Sequence, residues 1–119
     1  MPGKILIVDD SQDIIDLLDY HLKSQGFLVV TAKDGLEAVQ KIKSEKPDLI
    51  VLDIMMPKMD GFSVVQEIKK IEGASAIPVI IISIKEQMRE LFKMEGVKDY
   101  VIKPFSADQL IEKIKRYIA

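Results

Sequence analysis

The sequence predicts a three-layer α/β domain in which a parallel sheet carries helices on both faces. Short β-branched apolar runs alternate with longer stretches whose apolar residues recur three and four positions apart. The short runs are apolar at consecutive positions rather than alternate ones, which suits strands covered on both sides. Strands and helices that alternate in this way are joined by right-handed crossovers, and these make the sheet parallel.

Five strands are expected, at KILIVD (4–9), FLVVT (27–31), DLIVLD (48–53), PVIIIS (78–83) and DYVIK (99–103). The first helix, about 11–25, places Ile14, Leu17, Leu18 and Leu22 on one face and stops at Gly26, a residue suited to a left-handed C-terminal cap. The second, about 35–45, aligns Ala38, Val39 and Ile42, and the third, about 62–72, aligns Val64, Val65, Ile68 and Ile71. The fourth, about 86–95, presents Met88, Leu91 and Phe92. The fifth, about 107–118, carries Leu110, Ile111, Ile114, Tyr117 and Ile118 behind Ser106 and Gln109, a capping-box spacing.

At 119 residues, with 48% hydrophobic and 30% charged residues, residues 1–119 make one domain. The net charge is −2 and the basic residues are dispersed, so no electrostatic footprint for nucleic acid is present. Without cysteine there are no disulfides, thiol nucleophiles or thiolate metal sites. No apolar run approaches the roughly 20 residues of a membrane span. A soluble cytoplasmic protein is expected.

In open sheets of this kind, ligands bind beyond the carboxyl ends of the strands. Asp9 and Asp10 end the first strand, Asp53 the third, Ser83 the fourth and Lys103 the fifth, so all five belong at one edge. Gathered carboxylates repel and raise one another's pKa unless a cation intervenes. An all-oxygen donor set without His or Cys favours Mg²⁺ or Mn²⁺, and Mg²⁺ takes only one or two carboxylates. One aspartate is then free as a nucleophile, with metal, lysine and hydroxyl sharing the charge on phosphoryl oxygens. The chemistry indicated is phosphoryl transfer to Asp53. Any one of these residues alone would more commonly be a turn or cap residue; their joint placement argues for function.

The segments VDDS (8–11), DIMMPKMDG (53–61), PVIIIS (78–83) and DYVIKPF (99–105), in this order, resemble the receiver domain of bacterial two-component response regulators across nearly the whole chain. The resemblance implies a flavodoxin-like doubly wound sheet of order 2-1-3-4-5. It implies that Asp53 accepts a phosphoryl group from a phosphohistidine, with Lys103 and Ser83 completing the catalytic set. Asp10, Asp53 and the Met55 backbone carbonyl resemble direct Mg²⁺ ligands, and Asp9 one that acts through water. Ser83 and Tyr100 resemble the switch pair, Lys103–Pro104 a bond that is often cis in the family, and Pro57 and Gly61 the shapers of the loop after Asp53. Implied partners are a sensor histidine kinase or phosphotransfer protein, docking at the first helix and the Pro104 loop. A downstream protein or a second copy of the chain would meet the face of the fourth helix, fifth strand and fifth helix.

Met55, Ile84 and Lys85 match positions that tune phosphoryl access and lifetime. Ile84 stands where the family usually has Ala or Gly, so it either narrows access to Asp53 or points into the core. Met55 offers no side-chain hydrogen bond to orient a water, which implies a durable phosphoryl group. The segment from Ser83 to Lys103 is a little shorter than is usual in the family, which predicts a shortened loop or first turn at the fourth helix. A phosphorylation-independent module of the same fold is the alternative. A small phosphatase is disfavoured because Met55 stands where a second acid would be needed. His21, the only histidine, reads as structural, the methionines at 55, 56 and 59 as loop packing, and KIKSEK (41–46) as the solvated end of a helix.

Overall fold

A computed structural model describes residues 3–56 and 58–118. The strands are β1 (Lys4–Val8), β2 (Leu28–Ala32), β3 (Leu49–Asp53), β4 (Val79–Ser83) and β5 (Asp99–Ile102). The helices are α1 (Gln12–Ser24), α2 (Gly35–Glu45), α3 (Gly61–Lys70), α4 (Arg89–Met94) and α5 (Ala107–Tyr117). All strands are parallel, as the alternation of elements predicted, in the order β2-β1-β3-β4-β5 that the resemblance implied.

Side chains alternate across a strand, and here the alternation divides the apolar runs between two cores. Leu6, Val8, Ile50, Leu52, Val79 and Ile81 pack with residues of α2, α3 and α4. Ile5, Ile7, Leu49, Val51, Ile80 and Ile82 pack with residues of α1 and α5. Consecutive apolar residues are needed because neither face of the sheet meets water.

The helix ends follow local chemistry. Ser11, Asp34, Asp60 and Ser106 cap α1, α2, α3 and α5, accepting from the N–H groups of Ile14, Glu37, Ser63 and Gln109. The Glu37 N–H at its cap holds the Asp34 carboxyl below its ordinary range. Gly26 adopts φ +90 just beyond α1, as expected. Lys46, in KIKSEK, caps α2 at φ 48, a left-handed position that sequence reading did not single out.

Three expectations are corrected. The buried face of α1 is Ile15, Leu18 and Leu22, while Leu17 is 40% exposed and Ile14 half-buried. α3 ends at Lys70 with Ile71 as its cap. The fourth helix is broken into a 3₁₀ turn (Glu86–Met88) and the six residues of α4. Of its expected apolar face only Phe92 is fully buried, against Phe62 and Tyr100, because a helix this short offers one inward position.

Candidate functional site

Register brings the acidic residues together. Val8 pairs with Leu52, so the next residues along, Asp9 and Asp53, emerge side by side at the carboxyl edge. Asp53 in turn pairs with Ile82, and Ser83 with Ile102, which sets Ser83 and Lys103 on the same edge. One carboxylate oxygen from each of Asp9, Asp10 and Asp53 lies within 4.8 Å of the others. Asp9 and Asp53 are buried and Asp10 is exposed.

Lys103 reaches into this cluster, with Nζ 3.1 Å from Asp9 Oδ2 and 3.6 Å from Asp53 Oδ2. The Ser11 N–H donates to Asp9 Oδ1 at 2.9 Å, and the Met55 N–H donates to Asp53 Oδ1 at 3.2 Å. Burial pushes the Asp53 carboxyl up from 3.8 to about 6; the negative charge of Asp9 adds to the rise, and the Met55 N–H and Lys103 oppose it. At neutral pH Asp53 is ionised yet more basic than a free carboxylate, which suits a nucleophile.

The loop after Asp53 is held by close backbone approach. A Cβ on Gly61 would lie 2.5 Å from Ile54 Cα, and one on Gly35 would lie 2.2 Å from the Met59 carbonyl oxygen. Only glycine admits these contacts, so α2, the loop and the start of α3 form one packed unit. Lys58, at φ 68, adds an ion pair to Asp34 at 3.4 Å. Met56 and Met59 pack against the core as expected, whereas Met55 projects outward, half exposed. Pro57 lies outside the described residues.

The other expected residues fall around this centre. Ser83 is buried, and its Oγ accepts from the Lys85 N–H at 2.9 Å. Tyr100 is turned inward and buried, and its hydroxyl donates to the Lys85 carbonyl. The Lys103–Pro104 bond is cis. Ile84 is 64% exposed and does not enter the core; with Ile14, Leu17, Lys103, Pro104 and Phe105 it lines an apolar depression of about 330 Å³. His21 lies at the edge of the Tyr20 ring, away from the acidic cluster.

Arg89, Asp34 and Asp60 were missed in the sequence. For the two aspartates the signal was present, since each immediately precedes its helix as a cap residue does. For Arg89 the i,i+3 spacing to Glu86 was present, but nothing pointed to Tyr100, which lies on another element.

A parallel doubly wound sheet with carboxylates and a lysine at its carboxyl edge defines a class of phosphoryl-accepting α/β switch domains. The chain belongs to the response regulator receiver domain family, matched over residues 5–115. It is 41% identical over 117 residues to the alkaline phosphatase synthesis transcriptional regulatory protein PhoP of Bacillus subtilis, covering 97% of this chain and 48% of that protein. The chain thus spans about half the length of that curated relative. Its fold matches the chemotaxis response regulator CheY4 of Vibrio cholerae with TM-score 0.93 and 28% identity, covering 99% of this chain and 100% of that one. It also matches the receiver domain of a sensor histidine kinase of Pseudomonas aeruginosa PAO1, with TM-score 0.88, 28% identity and 98% of each chain covered. That structure has a magnesium ion coordinated in its active site cleft. Phosphorylation-dependent switching is the general role of the family, whose members bind Mg²⁺ in the acidic site and act with histidine kinases and downstream partners. Among the described residues no helix is long and apolar enough to cross a membrane.

Proposed function

We propose that this chain is a cytoplasmic signalling switch, a single receiver unit over residues 1–119, phosphorylated on Asp53 by a sensor histidine kinase or a phosphotransfer protein. The observation that carries this reading is the buried, basic Asp53 carboxylate beside Lys103 and two further aspartates. In the transfer, an Asp53 oxygen attacks phosphorus, the phosphorus–nitrogen bond of the phosphohistidine breaks, and its electron pair stays on the imidazole, which takes up a proton. Lys103, 3.6 Å from Asp53 Oδ2, and the Ser83 hydroxyl on the same sheet edge would hold phosphoryl oxygens.

The all-oxygen donor set fits Mg²⁺, or Mn²⁺, with Asp10, Asp53 and the Met55 carbonyl as direct ligands and Asp9 acting through water. A bound ion supplies charge neutralisation on the transferring oxygens. The chain performs no chemistry on any other substrate; transfer to and hydrolysis from Asp53 are its own reactions.

The phosphoryl group adds about two negative charges and new acceptor oxygens, which take the Ser83 O–H as donor; a turn of Ser83 toward them strains the bond that its Oγ accepts from the Lys85 N–H and thereby biases the Lys85–Tyr100 contact. Output passes through α4, β5 and α5 to a protein partner or a second copy of the chain. On that face Leu91 and Met94 are exposed, and the Lys113–Asp99 ion pair lies at 3.2 Å. The test is titration of the full chain with beryllofluoride and Mg²⁺, followed by amide NMR. Shifts at Ser83, Lys85 and Tyr100 are expected. No change there, together with unaltered partner binding by Asp53→Asn, would instead support a phosphorylation-independent binding module of the same fold.

Ile84 is assigned to the rim of phosphoryl access, in keeping with its exposed position beside Lys103. Ile84→Ala should quicken phosphorylation by acetyl phosphate, and hydrolysis, about threefold, the scale of a steric term below 1 kcal/mol. Equal rates in the two proteins would remove the assignment. Lys85 and Met55 line a separate depression with Phe62, Met88 and Phe92, and the apolar Met55 side chain should leave the phosphoryl group long-lived.

A further inference from the structure

We propose that Arg89 is a positioning residue that holds Tyr100 in its inward state, an inference that rests on the switch reading above. The Arg89 guanidinium uses three nitrogens and one face. Nε and Nη2 donate to the two carboxylate oxygens of Glu86 at 2.7 and 3.0 Å, and Nη1 donates to the Tyr100 carbonyl at 3.2 Å. Its central carbon stands 5.1 Å from the centroid of the Tyr100 ring. The fork to Glu86 fixes the guanidinium plane, because a bidentate pair is geometrically demanding. The fixed cation then meets the electron-rich face of the ring.

The contacts form a closed circuit. Glu86 directly follows Lys85, whose carbonyl accepts from the Tyr100 hydroxyl and whose N–H donates to Ser83 Oγ. Arg89 therefore grips Tyr100 at its backbone and its ring, while the hydroxyl grips the segment next to Ser83. Phe92 closes the buried side of the ring, at 6.2 Å between centroids. An outward Tyr100 would lose the Arg89 face and the Lys85 carbonyl together. In a two-state equilibrium, contacts made in only one state raise its population. Arg89 accordingly raises the population of inward Tyr100, the conformation that phosphorylation favours in the switch reading, and sets the size of that bias.

The test compares the full wild-type chain with Arg89→Ala and Arg89→Lys, using ¹³C-labelled tyrosine rings to follow Tyr100. Spectra are taken alone and with Mg²⁺ and increasing beryllofluoride, and thermal unfolding is measured alongside. Without beryllofluoride, Arg89→Ala should move the Tyr100 ring signals toward solvent-like values. It should also raise the half-saturating beryllofluoride concentration about three- to tenfold, the range expected for one partly exposed cation–π contact and one charge-assisted hydrogen bond. Arg89→Lys keeps the charge without the fork and should fall between the two; it also serves if the alanine variant does not fold. Unmoved Tyr100 signals and an unchanged half-saturation in either variant, with or without a lower melting temperature, would overturn the proposal and leave Arg89 a surface contact. If wild type itself ignores beryllofluoride, the switch reading fails instead, and the resting Tyr100 signals alone still decide the role of Arg89.

Discussion

Asp53→Asn should abolish phosphoryl acceptance and, in metal-free buffer near neutral pH, make the protein more stable by about 2 kcal/mol. The gain follows from the raised carboxyl. Burial and Asp9 lift it from 3.8 to about 6, and each unit corresponds to about 1.4 kcal/mol of penalty on the charged form. The shift is already net of the attraction of Lys103; the asparagine amide reproduces the neutral carboxyl imperfectly, so the net gain is set somewhat below the full shift. Because the folded pKa is above the unfolded one, the native state binds the extra proton between about pH 4 and pH 6. Stability therefore falls as pH rises through that window and is flat above it. Denaturant unfolding at several pH values should show this slope in wild type and its absence in Asp53→Asn. Added Mg²⁺ should stabilise wild type most above pH 6, where Asp53 is ionised. Parallel pH profiles for the two proteins would refute the account.

Lys103→Met should act in the opposite direction, costing about 2–3 kcal/mol near neutral pH. The methionine keeps the length and apolar stem of lysine, so packing changes little. What is lost is the cation 3.1 Å from Asp9 and 3.6 Å from Asp53, and three carboxylates remain within 4.8 Å of one another. Breaking a fully buried pair costs about 3–5 kcal/mol, and the partial exposure of Lys103 lowers that figure. The defect should shrink as pH falls, because protonating Asp53 removes the repulsion, and Mg²⁺ should restore part of it at higher pH. A loss of stability that is constant from acid to neutral pH would point to packing instead.

Sequence reading located the strands to within a residue or so, because a run such as LIVLD has no polar position at which a two-sided sheet could face water. The same argument brought Asp9, Asp53, Ser83 and Lys103 to one edge, since a charge ending an apolar strand has only the edge to occupy. Helix faces were read less well. On α1 the choice between Ile14 with Leu17 and Ile15 with Leu18 depends on a rotation of one residue, which an apolar-rich helix leaves open. The division between the 3₁₀ turn and α4 left no mark in the apolar spacing; it falls where Arg89 is tied at once to Glu86, three residues before it, and to Tyr100 on β5. Ile84 illustrates the limit of position-by-position inference: in sequence it follows a buried strand, but in space the chain has already turned outward.

The bond from Lys103 to Asp9 joins residues 94 positions apart, from the first strand to the end of the last. Seen along the time axis of synthesis, the three aspartates leave the ribosome well before the lysine that neutralises them. A nascent chain that ends at β3 or β4 has the three aspartates but not Lys103, so the Lys103–Asp9 contact forms only after β5 has been made. The residue proposed to hold the phosphoryl group would thus also act as the closing contact in folding, making competence to receive a signal coincide with completion of the fold.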